Sequence, residues 1–172
     1  MILEKSSMNF FRTLVLALAF SFTFIFPSAS MAQLTDDDHM RYTEALRDGD
    51  VKLVKKYLDG DAKANDKFFG WSALQIAATK GQVKVVQLLV ERGAELDYQH
   101  PISKNTAFHM AAFGGYNDVV KYLAAKGADI NIKMRADVSI VRAVRDEGNT
   151  KMVELLTSLG VKDDGCLEEK CF

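Results

Sequence analysis

The apolar positions of this chain fall into two regimes. Up to residue 32 they run together; beyond it they recur at helical spacing in four similar stretches, DVKLVKKYL, QVKVVQLLV, YNDVVKYLA and NTKMVELLT. Apolar residues at i, i+1 and i+3 or i+4 in each stretch mark one buried helical face. Each stretch follows a glycine (Gly49, Gly81, Gly115 and Gly148), at separations of 32, 34 and 33 residues. A second glycine closes the helix in three copies, at Gly93, Gly127 and Gly160, where a left-handed C-terminus penalises a Cβ. In the first copy Asp61 stands there, within LDGDAKAN, so that unit is expected to end differently. Ahead of the turn glycines, SALQIAA (72–78) and TAFHMAA (106–112) predict short helices capped by Ser72 and Thr106. Each unit therefore reads as a helix, a tight turn, a second helix and an extended loop. A period near 33 points to an array of stacked units.

The first regime has a different logic. Lys5 and Arg12 precede a nearly apolar run from Thr13 to Phe26, followed by Pro27 and the small-residue stretch SASMA. This is the arrangement of a secretory signal peptide. The run's 14 residues would span about 21 Å of helix, short of a hydrocarbon core of roughly 30 Å, so a retained membrane anchor is the weaker reading. Small residues at Ser30 and Ala32 place the expected cleavage between Ala32 and Gln33. A start at Met8 would leave this unchanged, because Arg12 still supplies positive charge. The product is expected to be soluble and extracytoplasmic, with no membrane association after cleavage.

The repeating part resembles the ankyrin repeat family, whose pattern is G-x-T-P-L-H-x-A-A-x-x-G-H-x-x-V-V-x-L-L-L-x-x-G-A-D-V-N. TAFHMAAFGGYNDVVKYLAAKGADIN, from Thr106 to Asn131, follows it closely, and GWSALQIAATKGQVKVVQLLVERGAELD (70–97) nearly as well. Residues 41–65 and 138–162 are degenerate copies, and Ala73, Ala107 and Ile140 replace the family's Pro. The loop before Thr106 is one residue longer than its counterparts. The resemblance implies an all-α solenoid of about four helix-turn-helix units with hairpin-like loops. They fall over residues 33–165 at approximately 39–66, 67–99, 100–133 and 134–165, before a tail at 166–172. Polar termini carrying Lys55, Lys56, Lys162 and Asp163 suit the ends of such a stack.

Composition narrows the function. With 22 Lys+Arg against 23 Asp+Glu and a net charge of -1, the chain has no overall electrostatic footprint for nucleic acid. No G-x-S-x-G elbow or Walker-type glycine loop occurs, and Asp36, Asp37 and Asp38 read as a solvated charge run, so no enzymatic activity is expected. His109 falls on the His of the family pattern, which implies a local hydrogen bond tying its repeat's loop; metal ligation is the competing role. His39 and His100 share no ligand spacing with it, and no metal or cofactor is expected. Asn65, Asp97 and Asn131 recur after the second helices and read as local side chain to backbone turn formers. Cys166 and Cys171, the only cysteines, are expected to pair in an oxidising compartment; two free thiols in a frayed tail are the alternative.

The resemblance implies a non-catalytic module that binds an unidentified protein partner, as a monomer, in the periplasm or, alternatively, after secretion. Two narrower alternatives are an immunity-type protein or regulator that neutralises one enzyme, and an oxidative-stress accessory of the kind some bacterial ankyrin proteins form with catalases. In the family the outward positions flank the G-x-T step and follow the A-A of the first helix. Here they are Phe68, Phe69, Trp71, Thr79 and Lys80, then Ile102, Ser103, Asn105, Phe113 and Gly114, then Arg135, Ala136, Val138 and Asp146. Among them Phe68, Phe69, Trp71 and Phe113, with Arg135, are expected to form the energetic centre of an interface, because aromatics and Arg are its usual anchors. The competing expectation is that the tips stack on one another, with Trp71 stapling the second to the third.

Overall fold

The computed structural model describes residues 35–165. Within them eight helices form four antiparallel-type pairs: α1 (Asp36–Asp48) with α2 (Val51–Asp59), α3 (Ala73–Thr79) with α4 (Val83–Glu91), α5 (Ala107–Phe113) with α6 (Asn117–Ala125), and α7 (Ile140–Asp146) with α8 (Thr150–Ser158). First helices pack on first helices, α1 on α3, α3 on α5 and α5 on α7, while α2 packs on α4 and α4 on α6. A two-stranded antiparallel hairpin, β1 (Lys67–Phe68) and β2 (Trp71–Ser72), projects between the first two pairs. The expected solenoid is present.

Local chemistry sets the helix starts. Ser72 and Gln75 close a reciprocal capping box at α3, as Thr106 and His109 do at α5; each satisfies two orphan backbone donors. Ser139 caps α7 by accepting from the Arg142 N–H at 3.2 Å. The short first helices are rich in alanine, so α3 and α5 approach closely: Ala73, Ala77, Ala78, Ala107, Ala111 and Ala112 are all buried. Leu74 and Phe108 fill the space between them and the second helices' Val85, Leu89, Val119 and Leu123, all buried.

The first pair departs from its expected form. α1 begins at Asp36, ahead of the boundary expected at 39, and runs for 13 residues. Asp36, Asp37 and Asp38 make up its first turn, where carboxylates oppose the positive end of the helix dipole. Asp38 is more than a solvated charge: its carboxylate accepts from the Thr35 hydroxyl at 2.7 Å and the Thr35 N–H at 3.2 Å. Those bonds from Thr35 hold it below the usual carboxylate range. At the other end of the pair, Gly60 has φ −101°, and the Tyr57 carbonyl accepts from both Gly60 and Ala62 at 3.1 Å. This ending, without a left-handed residue, is the different one that Asp61 signalled.

Contacts between units are built by side chains that reach forward. The Asn65 side chain accepts from the Glu95 N–H at 2.7 Å, Asp97 from Asp129 N–H at 2.9 Å and Asn131 from Lys162 N–H at 2.8 Å. The three residues expected to close their own turns thus cap the loop of the next unit, some thirty positions on. Their recurrence reflects the repeat period, and only stacking reveals the partner. Tyr116 plays a related part, since its ring lies against Gly81, which has φ +67° and where a Cβ would collide with that ring.

Candidate protein-binding surface

Three loop tips stand beside the first helices, and each contains a non-glycine residue in the left-handed region: Phe69 (φ 52°), Lys104 (φ 61°), and Ala136 and Asp137 (φ 62° and 60°). The second tip is the most regular. Phe68 pairs with Trp71 across a two-residue turn made by Phe69 and Gly70, whose φ values of 52° and 85° are both positive. Such a turn strongly prefers Asn-Gly or Asp-Gly. Phe69 instead occupies the position that penalises a Cβ, and its side chain is fully exposed, at 103%.

Its strand neighbour is buried instead. Phe68 was expected on the outer surface, but it is 8% exposed and packs edge-on against Tyr42 at 5.7 Å and His39 at 5.6 Å. Along β1 the side chains alternate, Lys67 exposed and Phe68 buried, and the left-handed turn that begins at Phe69 leaves that side chain in solvent. Phe68 belongs to the core of the first two units. The Tyr42 hydroxyl beside it is buried with no hydrogen-bond partner among the described residues, and burial pushes it well above its ordinary range.

Trp71 joins the tips. Its ring lies 4.3 Å from that of His100, at 32° between planes, and both are largely covered. Around them Tyr98 donates to the Gly70 carbonyl at 3.0 Å, and the Lys67 ammonium sits 4.3 Å over the Tyr98 ring. The Gln75 amide reaches into the same loop, donating to the carbonyls of Tyr98 at 3.2 Å and Asn105 at 2.7 Å. Asn105 therefore serves the scaffold through its backbone, and its half-buried side chain faces Met110, 3.8 Å from the sulfur. Phe113 is half-buried and packs on the core, with no ring contact to Phe69 or Trp71. The four aromatics do not converge as one cluster.

What remains open to solvent is Phe69, Ile102 at 71% exposure, Lys80 and Arg135. The Arg135 N–H donates to the Ser103 carbonyl at 3.2 Å, so the third and fourth tips also touch. Trp71 keeps one edge available: with Arg47, Ile76, Thr79 and Lys80 it lines a cavity of about 230 Å³ against the first helices. A second cavity, of about 380 Å³, lies between α1 and the hairpin, bordered by His39, Met40, Thr43, Lys67, Phe68 and Phe69. Sequence reasoning missed Arg47, Met40 and His100. The only signal for His100 was the one-residue extension of its loop, and the other two lie in the unit whose first helix departs most from the pattern.

His109 holds the third loop rather than a metal: its Nδ1 accepts from the Thr106 N–H at 2.9 Å, and its Nε2–H donates to the Ile132 carbonyl at 2.9 Å. Burial pushes its pKa down to about 4. Among the described residues no group of three His, Cys, Asp or Glu side chains is placed to hold a metal ion, and no helix is long and apolar enough to cross a membrane. The two cysteines lie outside the described residues.

Stacked helix pairs with protruding, mutually bonded tips define an interaction scaffold of the solenoid type. A family model described as ankyrin repeats in three copies matches residues 43–134. The chain belongs to the ankyrin repeat family. It is 32% identical over 139 residues to the rat ankyrin repeat and SAM domain-containing protein 6, covering 77% of this chain and 16% of that one. The human ankyrin repeat, SAM and basic leucine zipper domain-containing protein 1 is 26% identical over 117 residues, covering 66% of this chain and 25% of its own. This chain thus spans a quarter or less of either relative. Ankyrin repeats are generally non-catalytic modules of protein–protein interaction, and these shared segments are of that kind.

Proposed function

We propose that this protein binds a partner protein through the row of tips and the adjoining first-helix face, with Phe69, Ile102, Lys80 and Arg135 in contact. Phe69 carries the reading. An exposed aromatic at positive φ costs backbone energy and recovers none of it by burial, and such strain concentrates at functional positions. Phe69→Asn supplies the residue the turn prefers. It should raise the melting temperature by about 3 °C, corresponding to roughly 1 kcal/mol, and weaken capture of the partner by more than about tenfold. A variant that is more stable and still binds fully would remove Phe69 from the interface. A role as an immunity-type or regulatory protein that neutralises one enzyme, held with much higher affinity, is a special case of the same surface.

The proposed location is the periplasm, after export and cleavage behind Ala32. The charged start, the apolar run and the small residues before Gln33 support it, and the cut would leave the Thr35 cap of α1 intact. The intact mass of the protein released by osmotic shock should correspond to Gln33–Phe172, two hydrogens lighter if Cys166 and Cys171 are joined. A full-length mass in the membrane fraction would replace export with anchoring, and two alkylated thiols without reduction would remove the disulfide.

A further inference from the structure

The tips carry a charge imbalance that packing does not require. Across 67–72, 101–106 and 133–138 there are four cations, Lys67, Lys104, Lys133 and Arg135, against one carboxylate, Asp137, in a chain whose net charge is -1. That carboxylate is already engaged by Lys133 at 3.1 Å. Lys104 and Arg135 are exposed, and neither has a carboxylate within ion-pair distance among the described residues; the same is true of Lys80. Lys104, like Phe69, is an exposed side chain held at positive φ, where Asn or Gly would be easier.

The cavity beside the tips has matching chemistry. Trp71 and Ile76 give it an apolar lining, and Arg47 and Lys80 stand at its sides. Among the described residues the Arg47 guanidinium has one ion-pair partner, its neighbour Asp48, at 3.4 Å between exposed groups, a pair of little strength in water. A volume of about 230 Å³ suits one large side chain. The tips form a continuous row, because Trp71 touches His100 and Ser103 touches Arg135.

Resting on the protein-binding reading above, we infer that the partner presents an extended acidic segment with interspersed apolar residues. One aliphatic or aromatic side chain enters the Trp71–Ile76 cavity, and the carboxylates beside it pair with Arg47 and Lys80. Further carboxylates along the segment meet Lys104 and Arg135, and its other apolar side chains lie against Phe69 and Ile102. Charge complementarity of this kind fixes register and speeds encounter. A lipid bilayer offers no side chain for the cavity. A polynucleotide would find only a few cations and no use for the exposed Phe and Ile.

Trp71 is the only tryptophan, so its emission reports on the cavity directly. The protein spanning Gln33–Phe172 is titrated with a synthetic peptide of about a dozen residues alternating Glu with Leu and Phe. Parallel titrations use the same peptide with Gln for Glu, vesicles of phosphatidylcholine and phosphatidylglycerol, and a single-stranded oligonucleotide. The acidic peptide is expected to shift the emission and to bind at least about tenfold more tightly than its Gln counterpart, with the advantage shrinking as salt rises. Lys80→Glu combined with Lys104→Glu should remove that advantage while the melting temperature stays within about 2 °C. Equal binding of the two peptides, silence towards both, or a response to vesicles or oligonucleotide alone overturns the inference. The native partner separates the two levels. A captured protein lost on Phe69→Asn but indifferent to the double charge reversal and to salt keeps the protein-binding reading and defeats the acidic segment. A captured protein indifferent to Phe69→Asn defeats the reading beneath it.

Discussion

His109 shows how one side chain commits to a single protonation state. A backbone N–H can only donate and a carbonyl can only accept, so the Thr106 N–H on Nδ1 and the Ile132 carbonyl on Nε2 fix the neutral ring with its proton on Nε2. Protonation would set a second donor against Thr106 in a site only 1% exposed. With the folded value near 4 and the ordinary one at 6.5, the unfolded chain holds the extra proton between those limits. Stability from this residue is therefore complete above pH 6.5 and falls as pH drops towards 4, by up to about 3 kcal/mol. Gln75 occupies the same place one unit earlier and bonds the carbonyl 23 residues on, just as His109 does. His109→Gln should accordingly fold, and melting temperatures measured from pH 7 to pH 4 should decline less steeply than in the parent. An unchanged slope would assign the acid sensitivity to other groups. Tyr42 offers the converse case, a buried hydroxyl with no hydrogen bond to lose among the described residues. Tyr42→Phe should leave chemical denaturation unchanged or shift it to higher denaturant by up to about 1 kcal/mol, and a clear loss of stability would show that the hydroxyl is satisfied after all.

At the scale of elements, the helices follow from local signals and the joints between them do not. Ser72, Thr106 and Ser139 precede their helices by one position, and the glycines at 93, 127 and 160 end theirs in the left-handed region. Asn65, Asp97 and Asn131 recur just as regularly, but their acceptor oxygens serve donors in the following unit. Sequence spacing marks them as special and is silent on the partner, because the distance from Asn131 to Lys162 closes only when two units stack. Asn131→Ala should leave the Lys162 N–H without its acceptor at a cost of about 1 kcal/mol. Since each unit of a solenoid feels mainly its neighbours, amide exchange in α8 should quicken while α4 is unaffected. Equal acceleration in both would mean that the array opens as one cooperative block.

Over the whole molecule, the repeat period, the helix pairing and the family were legible in the residues, because they rest on spacings the chain carries along its own length: glycines at a period near 33, apolar faces at helical intervals, caps one residue ahead of each helix. The surface was legible only in part. Phe68 and Phe69 are adjacent and chemically identical, and nothing local says which is core; packing of the hairpin on the first unit sets Phe68 against Tyr42, while the left-handed turn leaves Phe69 in solvent. His100 shares no ligand spacing with the other histidines and carries no mark in the sequence of its part in the fold, yet it covers Trp71 from the neighbouring tip. The sequence by itself determined which segments become helices, where each begins and ends, and that the units repeat, since those outcomes depend on interactions within about four residues. Which aromatics are spent on packing, which cations stay unpaired and which loops hold one another were decided by stacking, which brings together groups about thirty residues apart whose energies exist only once neighbouring units are in contact.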